Sequence, residues 1–233
     1  MRTDRVVSRW ASSRVAASIV ALAVTVSTPA DAQQPAPHDH RMFACLPDGL
    51  RHGARAGCQV LAQPVIRQRP DTPAFWHLTT FRTRRDAEAA RRDGDAVVRV
   101  AGRIWLSSIG GRNDTTTRGR HVASIGPLPM PQARVYRVEL YHVIMPARSH
   151  TRVHVHPGPE AWYVLEGQQC LDTPAGVVTA RAGEGSVAPP GGTPMQLTNN
   201  GAGPRRALFI VVHDSSQAWS APSDWRTSGR CDG

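Results

Sequence analysis

The chain contains no lysine: all 28 basic residues among its 233 are arginine. That excludes Schiff-base chemistry through a lysine, including the usual pyridoxal phosphate anchor. Aromatic residues are scarce, at 6%. The four cysteines, Cys45, Cys58, Cys170 and Cys231, show no C-x-x-C spacing. A zinc knuckle and a thioredoxin-type redox site are therefore not expected. The sequence also has no nucleophile elbow, P-loop, G-x-G-x-x-G or Ser-His-Asp spacing. Dense basic runs are missing too. The formal net charge is +10, but the arginines are spread thinly and match no nucleic-acid-binding motif. No nucleic-acid partner is expected.

Long apolar runs are equally absent. Val15 to Val26 is too short for a comfortable membrane span. Arg2, Arg5, Arg9 and Arg14 precede it, and Ala30-Asp31-Ala32 comes after it as an A-x-A cleavage site. Residues 1–32 thus read as a secretory signal peptide, with a mature start at Gln33 and a flexible polar leader over 33–44. The expected location is periplasmic or secreted, with no stable membrane span after cleavage. An even number of cysteines in an oxidising compartment suggests disulfides. Of the three pairings that four cysteines allow, Cys45–Cys58 with Cys170–Cys231 is favoured. The first closes a short glycine-containing loop, and the second ties the C-terminal tail to the main domain.

Two regions differ in character. Residues 45–124 read as a small α+β unit. Ala74–Phe81 is a strand rich in aromatic and branched residues. Thr83–Arg92 is a short helix with Thr83 as N-cap, Asp86 as capping acid and Gly94 past its end. Ala96–Ile109 returns to strand, with a turn or bulge at Gly102. Residues 125–215 read as all-β, with a tail over 216–233. In Val135–Ile144 the period of two puts Tyr136, Val138, Leu140, His142 and Ile144 on one face. Arg137, Glu139 and Tyr141 take the other, which reads as a half-buried strand. Further short strands lie at 153–156, 161–165, 176–180, 185–188, 195–198 and 207–212. Gly, Pro and Asn punctuate them, as expected for a sandwich or small barrel.

The residues that carry chemistry lie in HVHPGPEAWYVLEG, His154 to Gly167. His154, His156, Glu160 and Gly167 fit the form H-x-H, three residues, E, six residues, G. Further on, Pro190, Gly192 and Asn199 fit P-x-G, two residues, H, three residues, N, except that Met195 stands at the histidine. Gly183 or Gly185 lies near the usual upstream glycine. Arg148 stands where a glycine is usual, six residues before His154. In these two motifs the segment 135–212 resembles the cupins, single jelly-roll barrels. The resemblance implies a mainly β fold, with a C-terminal cupin-like barrel beside the small N-terminal α+β unit. It also implies a metal at His154, His156 and Glu160.

Strand parity supports convergence of those three. Residues two apart project from one face, and Pro157-Gly158-Pro159 would return the chain so that Glu160 meets the histidines. Two imidazoles and a carboxylate suit Fe, Mn, Ni or Zn, and the Met195 thioether keeps copper open. Three outcomes stand side by side: a three-ligand metal site, a metal-free barrel with a polar pocket, and a site completed by His142 or His213. Trp162 shares parity with Glu160 and joins Met195, His142 and His213 as pocket residues, while Tyr163 points outward. His150 and Arg152 share parity with His154 if the strand is continuous, and would put positive charge at the mouth. Asn199 and Asn200 read as a turn.

The expected function is an exported metal-dependent cupin that acts on a small organic molecule, with reaction and catalytic residues unassigned. The alternative is a metal-free small-molecule-binding or sensing barrel without catalysis. A third reading is a structural interaction protein of the cell envelope. A homodimer is compatible with all three.

Overall fold

A computed structural model describes the backbone of 45–46 and residues 56–67, 73–187 and 189–231. The signal-peptide and leader readings fall outside these residues. In chain order the strands begin with β1 (Cys45–Leu46), β2 (Gly57–Ala62), β3 (Val65–Ile66) and β4 (Ala74–Phe81), after which comes the helix α1 (Arg84–Ala90). Next come β5 (Ala96–Val100), β6 (Arg103–Gly111), β7 (Arg120–Leu128) and β8 (Tyr136–Met145). The rest are β9 (His154–Val155), β10 (Glu160–Glu166), β11 (Gln168–Thr173), β12 (Gly176–Arg181), β13 (Gly185–Val187), β14 (Gln196–Thr198), β15 (Arg205–Asp214) and β16 (Ala221–Pro222). The molecule is mainly β, with a C-terminal jelly-roll barrel and an N-terminal lobe of antiparallel strands plus one helix.

The barrel has two facing layers. One is the sheet β1-β2-β8-β15-β10-β13, with β3 also beside β8; the other is β12-β11-β14. The pair β16–β9 lies with them, and the N-terminal lobe is the sheet β5-β6-β4-β7. Pairing crosses the sequence boundary at 124. β2 is hydrogen-bonded to β8 in the barrel sheet, and β7 runs past 124 while paired to β4.

The helix forms where capping permits. The Thr83 hydroxyl accepts from the Asp86 backbone N–H at 3.1 Å and donates to the Asp86 carboxylate at 2.7 Å. One orphan donor of the first turn is thereby satisfied. The helix stops at Ala90, earlier than the Arg92 expected, because Arg91 takes an extended conformation.

The half-buried reading of β8 is corrected. Nine of its ten residues are buried, Arg137 being the exception. Tyr136, Val138 and Leu140 join Ala161, Tyr163, Leu208, Ile210 and Val212 in one core with Trp76, Leu78, Val98 and Trp105 of the N-terminal lobe. Trp105 and Tyr163 stand ring to ring at 6.2 Å. Truncating the fully buried Trp105 to Ala would cost about 3–5 kcal/mol. The other face of β8, carrying Glu139, Tyr141 and Val143, looks into the barrel rather than to water. A sheet covered on both sides has no solvent face on which polar alternation could be read.

Cys170 and Cys231 are disulfide-bonded, with Cα atoms 5.6 Å apart. Cys45 and Cys58 are register partners in the parallel pair β1–β2. Cys58 is disulfide-bonded, and the side chain of Cys45, its expected partner, lies outside the described residues.

Candidate metal centre

The local chain explains why His156 and Glu160 meet. β9 ends at Val155, and the Pro157-Gly158-Pro159 turn brings the chain back into β10 at Glu160. The turn is pressed against β15: the Val212 N–H donates to the Pro159 carbonyl at 3.0 Å. A Cβ on Gly158 would run into the Val212 carbonyl oxygen, so only glycine fits there. From the other side, the Gly192 N–H donates to the His156 carbonyl at 2.7 Å. His154 and Met195 face each other and exchange N–H···O bonds of 3.1 and 2.9 Å. The two sequence motifs are thus stitched together by backbone.

One ligand atom from each of His154, His156 and Glu160 lies within 4.8 Å of the others. His156 Nδ1 is 2.7 Å from the Trp219 carbonyl, and His154 Nδ1 is 2.8 Å from the Arg152 carbonyl. A carbonyl only accepts, so each Nδ1 carries its proton and donates. In a neutral ring the lone pair is then on Nε2. This is the arrangement by which a protein orients metal-binding imidazoles. His156 Nε2 stands 3.3 Å from Glu160 Oε2. That oxygen is buried and has no hydrogen-bond partner among the described residues. A lone pair and a carboxylate at that distance require a proton or a cation between them. The donor set of two imidazoles and one carboxylate fits a divalent transition metal.

The other expected site residues divide. Trp162 projects inward from β10 and clusters with Val164, Leu171, Met195 and Leu197. Met195 is 1% exposed and sits beside His154 in the second-motif histidine position. His213 is buried on the inward face of β15, where its Nε2 lies 3.5 Å from Glu139 Oε1; it does not join the group of His154, His156 and Glu160. His142 lies on the opposite face of β8 from Glu139 and Tyr141, opposite Leu208 and Gln59. It does not join the group of His154, His156 and Glu160. Burial, with Arg206 and Arg205 nearby, pulls its pKa down to about 4. His150 and Arg152 are exposed, and 151–153 are not strand, so the parity assumed for them does not hold. Tyr163 faces out of the barrel but into the N-terminal lobe. Asn199 is a buried turn residue: its amide donates to the carbonyls of Met145, Pro146 and Gly203.

Sequence reasoning missed a second polar cluster. Glu139 accepts from Gln63 at 2.6 Å and from the Tyr141 hydroxyl at 3.0 Å. Burial works against its charge, but the bonds from His213, Gln63 and Tyr141 hold its carboxyl below the usual range. The Tyr141 hydroxyl is pushed up by burial and by Glu139, so it stays protonated. Trp219 links the clusters, with its ring 5.2 Å from Tyr141 and 5.4 Å from His156. Parity did place Glu139 and Tyr141 on one face of β8, and that face proves to be the interior.

Residues 141–211 match the family model described as the cupin domain. The chain carries a cupin domain. The match spans both motifs and most of β15. Among solved structures, a DMSP lyase from Ruegeria pomeroyi is 22% identical, over 37% of this chain and 43% of that one, at a TM-score of 0.32. A cupin-superfamily sugar phosphate isomerase from Silicibacter pomeroyi is 19% identical, over 38% of this chain and 57% of that one, at 0.33. An uncharacterized double-stranded β-helix protein from Klebsiella pneumoniae is 24% identical, over 39% and 71%, at 0.32. The chain thus covers about half of the first two, and at these scores the likeness carries no further weight. No curated protein matches.

Proposed function

We propose that this cupin domain binds a divalent transition metal through His154, His156 and Glu160 and acts on a small organic molecule inside the barrel. The observation that carries the reading is the buried Glu160 Oε2, 3.3 Å from an imidazole nitrogen and without a hydrogen-bond partner among the described residues. His154 and His156 would hold the ion through Nε2, kept in that tautomer by the Arg152 and Trp219 carbonyls. Glu160 would supply the balancing charge. When bound, the metal supplies Lewis acidity, or oxygen binding if it is iron. The thioether of Met195 is a poor partner for Fe(II) or Mn(II) and a fair one for copper(I). Affinity for Mn, Fe, Ni or Zn is therefore weaker than with a third imidazole.

The same 3.3 Å contact favours a second reading if His156 is protonated. It would then be a buried ion pair, and the barrel would bind its ligand without a metal. Elemental analysis of wild type, Met195→His and His156→Ala, prepared without chelator or affinity-column nickel, separates the two. Met195→His should raise metal occupancy and His156→Ala should abolish it. No metal in either wild type or Met195→His after loading would leave the binding barrel as the reading. We also propose that the protein is exported, and the Cys170–Cys231 bridge supports an oxidising compartment.

A further inference from the structure

The barrel interior holds a cation that the metal site does not use. Arg205 opens β15 on the inward parity shared with Ala207, Phe209 and Val211. Its neighbour Arg206 takes the outward parity and pairs with Glu166 at 2.8 Å. Arg205 is 1% exposed, and its Nε and Nη2 are buried with no hydrogen-bond partner among the described residues. Burial lowers its pKa to about 10 while the charge of Glu160 acts to raise it, so it stays protonated at neutral pH. Glu160 on β10 and Arg205 on β15 both take the inward parity, since Glu160 is the register partner of Val211.

Two more inward side chains share the condition. Trp162 Nε1 on β10 and both amide atoms of Gln169 on β11 are buried without partners among the described residues. Gln169 has the parity of Leu171, which packs against Trp162 and Met195. The buried indoles of the N-terminal lobe differ: Trp76 donates to the Ser107 hydroxyl at 2.8 Å and Trp105 to the Val100 carbonyl at 3.2 Å. So the unpartnered groups of Arg205, Trp162 and Gln169 lie on β15, β10 and β11, which belong to both layers, with Glu160 Oε2 also on β10; His142, Thr198 and Asn200 carry the others among the described residues. Donors outnumber acceptors among the first three, and one bears a full charge. A dry interior penalises such a set unless an anion with several acceptor oxygens meets it. A guanidinium edge matches the two oxygens of a carboxylate. The interior already contains the carboxylates of Glu139 and Glu160, so a monoanion is better tolerated than a phosphate dianion.

We infer that the molecule taken into the barrel is a small carboxylic acid, its carboxylate received by Arg205 with Trp162 Nε1 and the Gln169 amide beside it. This rests on the reading that the barrel interior is the ligand site, and it specifies the ligand class. The test is calorimetric titration of wild type, Arg205→Met and Arg205→Lys with acetate, lactate and pyruvate, against acetamide, lactamide and inorganic phosphate. Metal content is measured on the same samples. Wild type should prefer acetate to acetamide and lactate to lactamide by about tenfold or more, the worth of a charge-assisted hydrogen bond. Arg205→Met should lose that preference with its metal content unchanged, and Arg205→Lys should keep part of it. If Arg205→Met does not fold, the comparison of acid with amide on metal-free wild type still decides, because a bound metal would itself favour the carboxylate. Equal binding of acid and amide, or tighter binding of phosphate, overturns the proposal. Carboxylate preference without metal upholds it while sinking the metal reading, and metal without carboxylate preference does the reverse.

Discussion

His142 gives a sharp test of how the outer face of β8 is buried. The side chain is 7% exposed, and its Nε2 has no hydrogen-bond partner among the described residues. Desolvation lowers its pKa to about 4, against 6.5 for a free imidazole. The folded pKa is the depressed one, so the unfolded chain takes up the proton first as pH falls. Stability is therefore fully present above about pH 6.5 and drains away between about 6.5 and 4. A gap of about 2.5 units corresponds to about 3 kcal/mol at the low-pH limit, of which about 2.5 kcal/mol is lost by pH 4.5. His142→Leu removes the titrating group and fits an apolar surface. Urea denaturation of both proteins at pH 7.5, 6.0, 5.0 and 4.5 measures the difference. The two should lie within about 1 kcal/mol of each other at pH 7.5, and the variant should gain steadily on wild type as pH falls. Carboxylate titrations are common to both chains and cancel. Parallel curves would refute the buried neutral imidazole. Loss of metal from His142→Leu would instead return His142 to the ligand set.

Replacing Cys170 and Cys231 together by serine should lower stability by about 4 kcal/mol at most, since the bridge spans a sequence separation of 61; unchanged urea midpoints would refute this. Arg148 holds φ at 60°, in the left-handed region that costs a residue with a Cβ, and it stands at the position where the motif usually has glycine. Arg148→Gly should therefore raise stability by about 0.5–1 kcal/mol, and a lower melting temperature would show that the arginine side chain contributes more than the backbone strain costs. Intact mass of the exported protein should correspond to a chain starting at Gln33, and a species retaining Arg2 to Ala32 would overturn the export reading.

The first motif was legible because its geometry is local. Two histidines, a rigid turn and a glutamate lie within seven positions, and the regular β10 preserves the parity that sends Trp162 in and Tyr163 out. The rest depends on what lies far away in sequence. Polar alternation on β8 looks the same whether the polar face meets water or a polar barrel interior, so parity alone assigns Glu139 and Tyr141 to a solvent side that does not exist. Only the packing of the N-terminal lobe on the other face distinguishes the two. Arg205 and Arg206 are chemically identical neighbours. Which one turns inward is set by the register of β15 against β8 and β10, and the pairing with β10 shifts between Val164 and Glu166. His150 and Arg152 fail for the opposite reason, because the strand that would have carried their parity begins only at His154.

The C-terminal tail shows how far the candidate centre extends beyond its motif. Residues 216–231 carry neither motif, yet the Trp219 carbonyl fixes the tautomer of His156. That carbonyl is itself held in place by the residues on its C-terminal side. β16 pairs with β9, setting Ala221 opposite Val155 and Pro222 opposite His154. The Ser228 backbone N–H donates to Asp172 at 2.7 Å, its hydroxyl donates to the same carboxylate, and Cys231 is bonded to Cys170 on the same strand, β11. Each attachment removes freedom from the segment that carries Trp219. A hydrogen bond to a metal-binding imidazole orients the ring only if its acceptor is itself fixed. The disulfide and the two strand residues of β16 therefore belong to the geometry of the candidate centre as much as the turn between His156 and Glu160 does.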